Sequence, residues 1–174
     1  MDSDKINRWL TLGANFGVLI GLILLITEIR QTSLIAELQF DGDYYSAQVQ
    51  VDELMTTKEA AEAWSKSVID PESLSVADIK ILDSYLATRL SVWRRAYDQE
   101  QSGFVPAGTA EESMRVSAGI YFGSKFAQAW WELEKQNGWL VDEFGKMVDE
   151  ILTGLSPTMN AEWIENLQNN IREF

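Results

Sequence analysis

Polar and apolar positions divide the chain into one uninterrupted apolar block and a series of amphipathic segments. The block runs from Trp9 to Ile26, WLTLGANFGVLIGLILLI, 18 residues without a charge. At a rise of about 1.5 Å per residue it spans about 27 Å, close to the hydrocarbon thickness of a bilayer. Trp9 stands where an aromatic ring favours the membrane interface, and Arg8 and Glu28 bracket the segment. A cleaved signal peptide would show a basic start, a shorter apolar run and an A-x-A-like site. The residues after Ile26, TEIRQTSLIAE, carry no such site. In a buried soluble helix, glycines would each cost up to about 1 kcal/mol. The block therefore predicts a transmembrane helix.

Beyond it the helical pattern runs on through Leu34, Leu38, Tyr45 and Val49. A second helix is expected over Lys58 to Ile69, stopping at Asp70-Pro71 because the residue before proline disfavours helix. Ser75 and Asp78 form a capping pattern for a third, with Ile79, Leu82, Leu86, Leu90, Trp93 and Tyr97 on one stripe and an end near Ser102-Gly103. Thr109 and Glu112 read as a capping box opening a fourth helix to about Tyr121. Ser124 caps a fifth, with Phe126, Trp130 and Leu133 inward and Asn137-Gly138 as its stop. A sixth is expected over Val141 to Thr153, with Phe144, Met147, Val148 and Ile151 inward. Asn160 is expected to cap a seventh that carries Trp163, Leu167 and Ile171. No segment reads as a strand. The fold expected is all-α: a membrane anchor over residues 1–30, then a soluble antiparallel helical bundle over 31–174 whose first helix continues the anchor.

Composition narrows the function. The 174 residues are 46% apolar, with seven Trp, seven Phe and five Tyr, enough to build a core. Fourteen basic residues stand against 27 acidic ones, a net charge of −13 with no basic cluster. Nucleic acid, which is bound by neutralising phosphates, is not an expected partner, and neither is tight docking on anionic lipid. The chain has no Cys and no His. Disulfides, thiolate nucleophiles, iron–sulfur clusters, imidazole bases and His ligands to metals or haem are thereby excluded. No cofactor and no catalytic signature are expected, and the chain reads as a non-enzyme. A carboxylate-based hydrolase stays as a remote alternative.

Candidate interaction residues lie first in the anchor. Gly13, Gly17 and Gly21 recur at i, i+4 and i+8, each step drifting about 40° around the helix, so they share a face. Transmembrane helices associate where small residues let backbones approach. Asn15 lies about 160° from Gly17, and Thr11 shares its side, which gives the helix a second, polar face. The expected partners are the bilayer and other transmembrane helices, in a homo-oligomer or a larger membrane complex. In the soluble part Trp130, Trp131 and Trp139 suggest an aromatic interface or pocket, with Trp130 towards the core and Trp131 at a rim. That cluster motivates an alternative function, a membrane-tethered ligand- or lipid-sensing domain. Asp41, Asp43 and Asp52 match three positions of a calcium loop, but Tyr45, Ser46 and the terminal Asp depart from it. Arg94 and Arg95 read as a salt-bridged helix face.

The run GVLIGLILLITEIRQTS resembles the opening of a widespread uncharacterised bacterial family with one N-terminal membrane helix, an E-I-R-Q-N-like exit and a helical domain. The matching residues are Glu28, Ile29, Arg30 and Gln31, with Thr32 where the family usually has Asn. Asp70 to Leu74, Trp130 to Glu132 and the D-E-F ending at Phe144 are similar too. The resemblance implies a bacterial inner-membrane protein and no particular activity. Relatives often carry more basic charge after the membrane helix, which implies a cytoplasmic domain. Here Lys5 and Arg8 precede the helix and Arg30 alone follows before Lys58, so the positive-inside rule leans towards a periplasmic domain.

Overall fold

A computed structural model describes residues 3–137 and 142–173. Among the described residues there are seven α-helices, one 3₁₀ turn at Pro71–Ser73, and no strand. The chain divides into two compact units, residues 1–41 and 42–174.

The first unit belongs to a single helix. α1 runs from Ser3 to Glu53 without a break. Every residue from Ile6 to Ile35 is exposed. By length and composition this helix suffices to cross a membrane. Its hydroxyls serve its own backbone: Thr11 Oγ1 donates to the Asn7 carbonyl and Thr27 Oγ1 to the Ile23 carbonyl, each at 2.9 Å. Such i−4 bonds satisfy a hydroxyl without water.

The second unit takes the end of α1 and adds α2 (Lys58–Ile69), α3 (Val76–Gln101), α4 (Thr109–Phe122), α5 (Lys125–Gln136), α6 (Glu143–Thr153) and α7 (Met159–Glu173). α4 touches α3, α5, α6 and α7, and α2 packs on α3 and α5. The core is built from Leu82, Leu86, Leu90 and Trp93 of α3, Met114, Ala118 and Phe122 of α4, and Phe144, Val148 and Ile151 of α6. Trp93 and Phe122 meet with ring centroids 5.3 Å apart.

Local chemistry fixes most boundaries. Thr57 caps α2 by accepting from the Ala60 N–H at 3.2 Å. The Ser75–Asp78 capping box forms as the pattern requires, and Lys66 of α2 adds a 2.9 Å bond to the same Asp78 carboxylate. Lys66 first, then the Ser75 backbone and hydroxyl, hold that carboxyl down at about 2. Ser124 caps α5 through the Ala127 N–H, and Asp142 caps α6 through the Gly145 N–H. The expected start of α6 at Val141 lies outside the described residues.

Three expectations are corrected. Thr109 and Glu112 do not form a capping box. Gly108, at φ 89°, occupies the cap in a left-handed conformation that glycine adopts without steric cost, and Thr109 is the first helical residue. Glu100 reaches across from α3 and accepts the Ala110 N–H at 2.8 Å instead. On α5 the buried face is Ala127, Trp130 and Trp131, and Leu133 is exposed. Asn160 sits inside α7 rather than capping it. Trp163, Leu167 and Ile171, which that helix carries, are exposed.

Asn160 has a different task. Its N–H donates to the Gly123 carbonyl at 2.9 Å, and its Nδ2 to the Ile120 carbonyl at 3.2 Å. Carbonyls at the end of α4, which no helical partner reaches, are thus satisfied by the start of α7. Gly119 and Gly123 admit that approach. A Cβ at Gly123 would lie 2.4 Å from the Gly119 carbonyl oxygen and 3.0 Å from Asn160 Oδ1. We expect Gly123→Ala to cost about 1–3 kcal/mol, as overpacking does. A lowered thermal midpoint of the full chain in detergent, followed by circular dichroism, is the readout; an unchanged midpoint would contradict this packing.

Candidate functional site

The candidate packing residues of α1 keep their faces free. Gly13, Gly17 and Gly21 lie on α1, and a Cβ built on any of them meets nothing within 4 Å. The stripe makes no close approach inside the chain, unlike Gly119 and Gly123. Asn15 is exposed on the same helix, and the Thr11 hydroxyl is already bonded to the Asn7 carbonyl.

The tryptophans are placed otherwise than a rim or pocket requires. Trp130 and Trp131 are both buried. Adjacent helical residues point about 100° apart, so each needs its own neighbours. Each indole N–H also finds a carboxylate at 2.9 Å, Trp130 on Asp83 and Trp131 on Asp149. Lys135 bonds the same Asp149 oxygen at 2.8 Å. Lys135 first, and then Trp131, hold the Asp149 carboxyl below its ordinary range. Trp131 is therefore a core residue with a satisfied polar edge, which corrects its expected rim position. Trp139 lies outside the described residues.

The paired arginines form the salt-bridged face expected of them. Arg94 bonds Asp98 at 3.0 Å and Asp142 at 2.6 Å, with its guanidinium 5.3 Å from the Phe144 ring centroid. It thereby braces the N-terminal cap of α6. Arg95 pairs with Asp43 at 3.3 Å. Asp43 and Asp52 lie within α1, so the carboxylates that hinted at a calcium loop occupy a regular helix.

Arg89 was not singled out by spacing, yet it is the most deeply buried charge described. Its side chain is fully buried on α3. Its Nη1 donates to Gln48 Oε1, and its Nη2 donates to the Tyr121 hydroxyl. The guanidinium carbon lies 3.8 Å from the Tyr121 ring centroid. The Tyr121 hydroxyl in turn donates a hydrogen bond to Asp52 Oδ1 at 2.8 Å, and Asp52 lies 3.6 Å from Arg89. Burial, then the Asp52 hydrogen bond, push the Tyr121 phenol up to about 12, and burial also raises Tyr85. Both phenols stay protonated at neutral pH, so neither serves as a base or nucleophile there. It clamps the end of α1 to α3 and α4. The signal was present: residue 89 falls three after Leu86 and four before Trp93, on the apolar stripe itself.

A shallow groove of about 290 Å³ lies among α2, α4 and α7, lined by Trp64, Gly119, Ile120, Met159, Asn160 and Trp163. Its lining is almost wholly apolar, and the Asn160 amide donates to Ile120 rather than into the opening. Small-molecule sites orient their ligands with convergent polar groups; this groove instead offers apolar contact. Among the described residues no group of three or more carboxylates could hold a metal ion. Comparisons with protein-family models, with curated proteins and with solved structures returned no match.

Proposed function

We propose that the chain is a non-enzymatic single-pass membrane protein, an accessory or scaffold subunit that assembles through helix packing in the bilayer. It carries its acidic helices as an antiparallel bundle, in a bacterial inner membrane with the bundle on the periplasmic side. The observation that carries this reading is the glycine stripe on α1. An apolar span of 18 residues, none of them buried, calls for lipid or protein cover. Along that span the three glycines leave a channel of bare backbone with nothing in it. Such a channel lets another helix approach closely, and backbone approach is what drives association between membrane helices. The lack of Cys and His fits a role in assembly rather than chemistry.

Gly17→Leu fills the middle of the channel. We expect it to weaken association at least tenfold, about 1.4 kcal/mol. Native mass measurement of the full chain extracted in mild detergent reads this as a shift to a smaller species. An unchanged assembly mass would remove the stripe as the packing surface.

A further inference from the structure

The second unit leaves one apolar face without cover. On α7, Trp163 and Ile171 are 61% and 65% exposed, with Leu167 exposed between them at helical spacing. On α4, Val116 is 77% exposed and Ile120 stands one turn on. The groove lined by Trp64, Gly119 and Met159 joins the two rows. The groove's own lining is almost wholly apolar, and an uncovered apolar face of this kind marks an interaction surface.

We infer that this face is a homotypic interface, on which a second copy of the chain docks α7 against α2, α4 and α7. Three observations select that occupant. The first is shape. A two-fold interface must be complementary to itself, so one patch must offer both a ridge and a hollow. Here Trp163 belongs to both: with the exposed Leu167 and Ile171 it forms the ridge, and with Gly119, Ile120 and Met159 it lines the hollow.

The second is charge. Two chains of net charge −13 repel over most of their surface. Residues 116–124 carry no charge at all, and residues 163–171 carry only Glu165. Like-charge contact is avoided on this face. The same count argues against a lipid surface. An amphipathic helix that lies on anionic lipid presents Lys and Arg on its polar side, whereas α7 presents Glu162, Glu165 and Glu173 against Arg172 alone.

The third is the rim. Asn166 and Asn170 each follow a ridge residue by three positions and so flank the ridge. An amide is both donor and acceptor and pairs with its own copy, while a carboxylate does not. A rim of amides therefore fits a like surface.

The test uses the full chain carrying Gly17→Leu, in detergent, so that contacts along the membrane stripe are removed. Sedimentation should find a dimer, and Trp163→Glu/Leu167→Glu should raise its dissociation constant at least tenfold with helicity unchanged. If that variant loses helicity, Asn166→Asp/Asn170→Asp decides in its place, with the same tenfold loss expected because it alters only exposed polar positions. A monomer before any of these changes overturns the inference, as does a dimer insensitive to the deciding variant. So does a variant whose only effect is weaker binding to vesicles of anionic lipid. Membrane retention of the Gly17→Leu chain is scored separately by alkaline extraction, so failure of the anchor reading and failure of this interface give different results.

Discussion

Replacing Arg89 with alanine should lower the unfolding free energy of the full chain by about 3–5 kcal/mol. Two losses add. A fully buried side chain leaves a cavity among Tyr121 and the neighbouring α3 residues. The Gln48 oxygen and the Tyr121 hydroxyl lose their charged donor, and half-buried acceptors left unpaired cost about 1–3 kcal/mol. Asp52 contributes less, because its side chain is 60% exposed and water replaces the guanidinium. Arg89→Met separates these causes. It keeps most of the volume and removes the desolvation cost of the cation, whose Nε has no acceptor among the described residues. Methionine should therefore lose less than half as much as alanine. Denaturant titration followed by Trp fluorescence measures both. A loss below about 1 kcal/mol for alanine would show that the end of α1 is held by something other than this clamp.

The elements that sequence reading located well are those whose signals are local. α2 ends where Asp70-Pro71 forbids further helix, and the capping box at Ser75 and Asp78 needs only four consecutive residues. The α3 stripe is buried from Leu82 to Trp93 because that helix runs through the middle of the unit. Errors arose where a distant residue decides. Glu100 serves the start of α4, so the nearby Thr109–Glu112 pattern goes unused. Asp149 and Lys135 make a place for the Trp131 indole that α5 alone does not reveal. α7 has a clear apolar stripe, but periodicity states only that a face is apolar, not that a neighbour in the same chain covers it. The glycines teach the same lesson in reverse. Gly119 and Gly123 repeat the four-residue spacing of the α1 stripe, and their neighbour, the start of α7, is within the chain. Arg89 is a charge on an apolar stripe, and it reads as a break in the pattern unless its partners on α1 and α4 are known.

Leu19→Arg/Leu22→Arg should remove the chain from the membrane altogether. Both positions lie near the middle of the apolar block and on the side away from Gly17 and Gly21, so they test insertion and leave the packing stripe intact. On insertion scales, each Leu-to-Arg change near a helix centre costs about 3–4 kcal/mol, so the pair costs about 6–8 kcal/mol. The unchanged segment has little to set against insertion. It carries no charge between Trp9 and Ile26, and the Thr11 hydroxyl is already bonded to its own helix. Asn15 is the remaining side-chain amide at that depth, and a single amide costs far less than two guanidinium groups. After alkaline extraction the parent chain should stay with the membrane at its full mass, while the double variant appears in the soluble or degraded fraction. Ser91→Arg, at an exposed position of α3, should behave as the parent does. Release of the parent chain by alkali, or a mature mass lacking the first helix, would sink the anchor reading. The first outcome would indicate a helix covered by protein in solution, and the second a segment removed after export. Retention of the double variant would show that partner proteins, rather than lipid, cover the face opposite the glycines, since guanidinium groups at that depth need polar company.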